Sequence, residues 1–129
     1  YTLICDNMAG SIMGQGLVDA VIVGADRVCA NGDVANTIGT YPLAVVSSYH
    51  SVPFFVAAPH STFDKSLVTG DEVVIEQRDE AEVRCMPYGH QWLPIAPSEC
   101  DVFNPAFDIT PNELITGVIT ETGIEFAGE

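Results

Sequence analysis

Apolar residues fall along this chain in short unbroken runs rather than in strict alternation. Tyr1–Cys5 (YTLIC), Ala20–Val23 (AVIV) and Pro53–Ala58 (PFFVAA) are such runs, bounded by Asp, Gly or Pro. Continuous apolar strands of this kind are buried on both faces, the mark of a parallel sheet. Between the first two runs, Met8–Met13 places Ile12 and Met13 on one helical face with Met8 or Ala9, and Gly14 and Gly16 follow as stops. The gap is about the dozen residues that a parallel crossover needs, so this segment predicts a βαβ unit. Thr40–Tyr49 (TYPLAVVSSY) predicts a second helix, with Tyr41, Val45 and either Ser48 or Tyr49 on one stripe. Pro42 fits only in a first turn, which puts the helix start near Thr40. The expected fold class is α/β, with a mostly parallel sheet covered by helices on both faces.

The pattern loosens between residues 61 and 100. Val73–Glu76 predicts a strand and Asp79–Val83 a short acidic helix, while Met86–Pro97, with Trp92, reads as an irregular surface excursion. Pro111–Gly117 then predicts a helix N-capped by Thr110, with Glu113 three residues on as the capping-box partner. Thr120–Phe126 closes the pattern with a turn and a last strand. No internal repeat or low-complexity tract interrupts it, and 129 residues suit a single domain with a substantial core. The chain opens at Tyr1 with no initiator Met and no signal peptide, which reads as a processed chain or a piece of a longer one.

Charge narrows the partners. The formal net charge is −14, from 18 acidic residues against Arg27, Arg78, Arg84 and Lys65. Nucleic acid requires clustered cations to displace counterions, and an anionic membrane surface requires the same; neither fits. No apolar run approaches the ~18 to 20 residues of a membrane-spanning helix. A ligand phosphate would have to be held by backbone N–H groups or by cations from elsewhere. Cys5, Cys29, Cys85 and Cys100 show no CxxC and no metal-ligand spacing, and there is no Asn-x-Ser/Thr sequon. Free, buried thiols in a reducing cytoplasm are therefore expected.

Among candidate chemistries, Gly10, Gly14 and Gly16 do not form G-x-G-x-x-G and follow a helix instead of opening one. His50, His60 and His90 lie far apart, as surface or supporting groups, and there is no G-x-S-x-G. The stretch Gly24–Thr40 is different: Asp26 follows the strand Ala20–Val23, as Asp6 follows Tyr1–Cys5. Ligands of open α/β sheets bind beyond the carboxyl ends of the strands. Each aspartate therefore either faces that crevice or caps the turn after its strand. Asn36–Thr40 leads into a helix, whose first N–H groups either hold an anion or are simply capped.

Three ordered segments, GADRVCANGDVANTIGTY (24–41), PFFVAAP (53–59) and NPAFDITPNELITGVITE (104–121), resemble the methylthioribose-1-phosphate isomerases of methionine salvage. That family is related to the regulatory subunits of the translation-initiation guanine-nucleotide exchange factor and to archaeal ribose-bisphosphate isomerases, which are the rival readings. The resemblance implies the Rossmann-like C-terminal domain of a longer protein, spanning residues 1–129, a homodimer, and no metal or organic cofactor. It assigns the catalytic acid to Asp26 and substrate binding to Asn36 and Thr37. Where the family places Lys after Asn this chain has Thr37, and the family's catalytic cysteine and phosphate-binding arginines belong to an upstream region. An acid role near neutral pH needs a carboxyl group packed against apolar walls, and Val21–Val23 with Ala25 would supply them.

Overall fold

The computed structural model describes residues 1–126. In chain order the elements are α1 (Ala9–Gly14), β1 (Val21–Val23), β2 (Arg27–Cys29), β3 (Val34–Thr37), α2 (Thr40–Tyr49), β4 (Phe54–Ala57), β5 (Phe63–Asp64), α3 (Ala81–Arg84), β6 (Cys85–Tyr88), β7 (Gln91–Pro94), β8 (Phe107–Thr110), β9 (Gly117–Thr120) and β10 (Gly123–Phe126). Single 3-10 turns lie at His60–Thr62, Gly70–Glu72 and Asn112–Leu114.

Two sheets share one core. The first has the order β1-β4-β9-β10, with β1, β4 and β9 parallel and β10 antiparallel at the edge. Its register sets Val21 beside Phe54 and Val56 beside Val118, so these side chains share the inner face. The second sheet, β5-β2-β3-β8, is largely antiparallel and contributes Val28 and Val34 to the same core. The architecture is thus one of mixed parallel and antiparallel sheets with a few helices.

Helix α2 has the predicted ends but buries a different face. Its hidden residues are Thr40, Ala44 and Ser47, whereas Tyr41, Val45 and Tyr49 face outward. Small side chains let the helix axis come close to the sheets, and the Ser47 hydroxyl satisfies itself on the Leu43 carbonyl at 2.8 Å. Helix α1 matches its prediction within a residue and buries Met13.

Four other expectations change. Tyr1–Cys5 forms no strand; Tyr1 and Leu3 stand in solvent, because a β-segment is stable only when its N–H and C=O groups find a partner strand. Val73–Glu76 likewise forms no strand; pairing with a second segment begins at its last residue, where the Glu76 carbonyl accepts from the Ala106 N–H at 2.8 Å beside the bridge between Gln77 and Pro105. Met86–Pro97 is ordered as the hairpin β6–β7, with Cys85 opposite Pro94 and Gly89 left-handed at its turn. The helix expected over Pro111–Gly117 shrinks to the turn Asn112–Leu114, because pairing with β4 claims Gly117 onward as β9. The short acidic helix is present as α3, and the Asp79 carboxylate accepts from the Ala81 N–H at 2.8 Å.

Thr110 consequently ends β8 instead of capping a helix. It is fully buried, and its hydroxyl has no hydrogen-bond partner among the described residues. An unsatisfied buried hydroxyl carries its whole desolvation cost, so Thr110→Val should raise stability by about 1 kcal/mol. Urea denaturation, read as a higher midpoint at unchanged slope, checks this.

Candidate active site

The polar stretch after β1 folds as a hairpin. Asn31 and Gly32 make the turn between β2 and β3, with Gly32 at φ +89°, and the Cys29 N–H donates to the Asp33 carbonyl at 2.8 Å. An Asn-Gly pair between Val28-Cys29 and Val34-Ala35 is the sequence signal for this hairpin; the strands flanking it are short enough to read as loop.

One carboxylate holds the turn. Asp33 accepts from the Asn31 side chain at 2.8 Å, from the Gly70 N–H at 2.9 Å and from the Asn112 N–H at 2.9 Å, with the Asn112 side-chain amide at 3.3 Å. Burial pushes its pKa up. The donations from Gly70, Asn31 and Asn112 outweigh that and hold it below the usual carboxylate value. Gly70 has to be glycine for this approach, since a Cβ there would lie 2.3 Å from Ile109 Cγ2.

The hairpin decides where the expected site residues stand. Its last paired residues at the open end are Arg27 and Ala35, and the Asp26 N–H donates to the Ala35 carbonyl at 2.9 Å. Asp26 and Asn36 therefore flank the same end of the hairpin. Asp26 is exposed, so the apolar walls expected around it are not built by Val21–Val23 and Ala25. Arg27 turns away to Asp64, 3.4 Å distant. The Asn36 amide donates to Thr40 Oγ1 at 3.0 Å, and that hydroxyl donates to the Thr37 carbonyl at 2.8 Å.

The start of α2 holds an anion, but the anion belongs to the chain. Asp108 lies opposite Asn36 on β8. Its carboxylate accepts from the Gly39 N–H at 2.8 Å and from the Tyr41 N–H at 3.1 Å. Pro42 has no N–H, so a second anion here meets a filled cap and a like charge. An aspartate between Phe107 and Ile109 was the available signal, because Asp is depleted from strands unless it has a partner. Thr37 instead lines a cleft of about 640 Å³ between the N-terminal segment and α2, together with Asp6 and Asn7; Asp26 and Asn36 lie outside it.

The carboxyl ends of β1, β4 and β9 share one edge of the first sheet. After β4, His60 stands between two carboxylates, with Nδ1 3.2 Å from Glu121 and Nε2 3.0 Å from Glu125. The Glu125 and Glu121 contacts raise its pKa, favouring the doubly protonated ring. The four cysteines are free thiols, but only Cys29 is buried. Burial, with Asp33 and Asp64 nearby, pushes the Cys29 thiol pKa up and makes it a poor nucleophile. Among the described residues no helix is long and apolar enough to cross a membrane.

Residues 1–125 match the model of the Initiation factor 2 subunit family. The chain belongs to this family. Within it, the chain is 54% identical over 132 residues to the methylthioribose-1-phosphate isomerase of Yersinia enterocolitica, covering 100% of the chain and 37% of that protein. It is 58% identical over 123 residues to the corresponding isomerase of Carboxydothermus hydrogenoformans, covering 95% of the chain and 35% of the relative. The crystal structure of 5-methylthioribose 1-phosphate isomerase from Pyrococcus horikoshii superposes with a TM-score of 0.88 at 50% identity, covering 97% of this chain and 34% of that one. That of the translation initiation factor eIF-2B delta subunit from A. fulgidus also gives 0.88, at 47% identity, covering 98% of this chain and 36% of that one. The chain therefore spans about a third of the length of the curated relatives it matches.

In this family member the β2–β3 turn depends on an ionised Asp33. As pH falls, the unfolded state takes up the proton first, since its carboxyl is the weaker acid. Asp33 thus stabilises the fold above the unfolded pKa, and that contribution is lost as pH falls through the lower folded value. Each Asp33 oxygen accepts from two donors, so Asp33→Asn sets two of them against an amide NH2 and should cost about 2 kcal/mol near neutrality. It should also flatten the loss of stability below about pH 4. Denaturant titrations at several pH values read both effects.

Proposed function

We propose that this chain is the C-terminal, Rossmann-like unit of a methylthioribose-1-phosphate isomerase, with helices on both sheet faces in the whole enzyme. The observation that carries this reading is the 54–58% identity to curated isomerases over nearly the whole chain. The placement of the exposed apolar residues supports a unit that is covered in a longer protein. On the outer face of the first sheet Ile22 is 64% exposed, with Ile124 beyond it at 48%. The protein acts in the cytoplasm as a homodimer, and the outward residues Tyr41, Val45 and Tyr49 of α2 offer a surface suited to a second copy.

The reaction converts 5-methylthioribose 1-phosphate to 5-methylthioribulose 1-phosphate. Its substrate is locked as a ring by the phosphate on C1, so the ring oxygen must be protonated as the C1–O bond of the ring opens. Hydrogen then moves with its electron pair from C2 to C1, and the C2 hydroxyl gives up its proton, leaving the carbonyl at C2. One carbon is oxidised as its neighbour is reduced, so the electron count closes inside the substrate and no redox cofactor is called for. Asp26, exposed in this unit, is the general acid at the ring oxygen where the upstream part of the protein supplies the apolar walls that Val21–Val23 and Ala25 do not, and a cysteine from upstream of this chain manages the hydrogen movement. Asn36 and Thr37 bind the sugar phosphate. Phosphate cations come from the same upstream region, because the helix-start N–H groups of Gly39 and Tyr41 are already donated to Asp108.

A second reading keeps the fold without the chemistry. The likeness to an initiation-factor delta subunit, at the same TM-score as the isomerase, fits a non-catalytic regulatory subunit of the exchange factor. An isomerase of a related ribose phosphate is the other alternative.

Asp26→Asn separates them. The amide matches the carboxyl in shape but cannot donate a titratable proton. In the full-length protein this change should lower turnover of methylthioribose 1-phosphate by roughly 10²- to 10⁴-fold with the fold intact. Near-normal turnover would remove Asp26 from the chemistry, and an unaltered protein with no isomerase activity would favour the regulatory-subunit reading.

A further inference from the structure

The edge strands of the two sheets, β10 and β5, line one hollow of about 430 Å³: Glu125 and Phe126 come from β10 and Phe63 from β5. His60, in the turn that joins β4 to β5, touches both edges. Its Nε2 lies 3.0 Å from Glu125 Oε1, and its ring sits on Phe63 with the centroids 5.6 Å apart. On the other side of the ring, Nδ1 lies 3.2 Å from Glu121 in the turn between β9 and β10. The His60 main-chain N–H donates to the same Glu121 carboxylate at 2.9 Å. Strand β10 needs such a tie, because it pairs with β9 alone and its four residues are all exposed.

A neutral imidazole has one N–H and one lone pair. With a carboxylate oxygen beside each nitrogen, a neutral ring donates to one and turns its lone pair on the other. Only the doubly protonated ring suits both. Glu121 keeps the main-chain N–H when the ring loses its proton, so the loss falls on Glu125 and hence on β10. We propose that His60 is a proton-operated clasp on β10: protonated, it ties this strand to the β4–β5 turn and the edge of the second sheet; neutral, it releases Glu125 and loosens β10 over the hollow. Among the described residues, the charged groups facing the ring are Glu125 from β10 and Glu121 from the turn before it, while β5 presents only the Phe63 ring. Both carboxylates, Glu125 foremost, raise the His60 pKa. The clasp is therefore fully closed below the unfolded histidine value of about 6.5 and opens as pH rises through the higher folded value. Below about pH 4 protonation of the two glutamates opens it from the other side.

Hydrogen exchange of the full-length protein tests this, read by mass spectrometry on peptides carrying Gly123–Phe126 and, as a control, Phe54–Ala57. Rates at about pH 6 and about pH 8.5, on either side of the histidine transition, are corrected for intrinsic exchange. In the unaltered protein, protection of β10 should fall by ~2- to 5-fold relative to β4 on going to the higher pH, the scale of a solvent-exposed ion pair. His60→Gln should abolish that fall by holding β10 at the looser level throughout. Glu125→Gln should abolish it in the opposite way, since an amide can bond the ring in either protonation state, and should leave β10 better protected at the higher pH than His60→Gln does. Equal relative protection at both pH values in the unaltered protein would overturn the clasp. So would a fall that persists in either variant, and if one variant misfolds the other still decides.

Discussion

The Asp33 carboxylate is the contact on which the arrangement around the hairpin depends. It joins three segments far apart in sequence: the β2–β3 turn through Asn31, the turn at Gly70 and the turn at Asn112. Each donor would otherwise need its own partner or water. Once Asp33 fixes the closed end of the hairpin, pairing of Val28 with Val34 and of Arg27 with Ala35 fixes the open end. Asp26 and Asn36 are positioned by that register alone. The same carboxylate satisfies the Asn112 N–H, a role that Thr110 would have taken had a full helix formed there.

Asp108 does for α2 what Asp33 does for the hairpin, and together they recast the acidity of the chain. A carboxylate at a helix start is favoured both by the free N–H groups and by the helix dipole. Acidic residues here supply the fold's own anions. The cations are similarly committed: Arg27 pairs with Asp64, Arg78 with Glu82 at 2.7 Å and Arg84 with Glu80 at 3.0 Å. Among the described residues only Lys65 stands outside an ion pair. A phosphate meeting this unit alone finds its obvious donors already engaged, which is why the proposed chemistry draws on residues beyond it.

Position at one edge is what this unit contributes to a site. Parallel pairing of β1, β4 and β9 gathers the segments that carry Asp26, His60 and Glu121. His60 ties the β4 exit to the turn before β10, so that edge is braced while Asp26 stays in solvent. The cleft beside Thr37 is built differently, from the side of α2 and the segment before α1.

The sequence by itself determined the elements whose signals are local. Pro42, two residues into α2, and Gly39, with its left-handed φ, mark the start of that helix, and the apolar runs at Val21–Val23 and Phe54–Ala57 form strands as read, though only their inner face is covered and Ile22 stays exposed. The ordered motifs carried the family. Tertiary structure alone decided which face of α2 is hidden, because close approach to the sheets rewards Ala44 and Ser47 over the larger Tyr41 and Val45. It also decided that Tyr1–Ile4 stays unpaired, that Gly117 onward becomes β9 instead of the end of a helix, and that Asp108 fills the start of α2. Each of these turns on a partner dozens of residues away, and pairing at that distance is set by the packing of the whole core, which no local window contains.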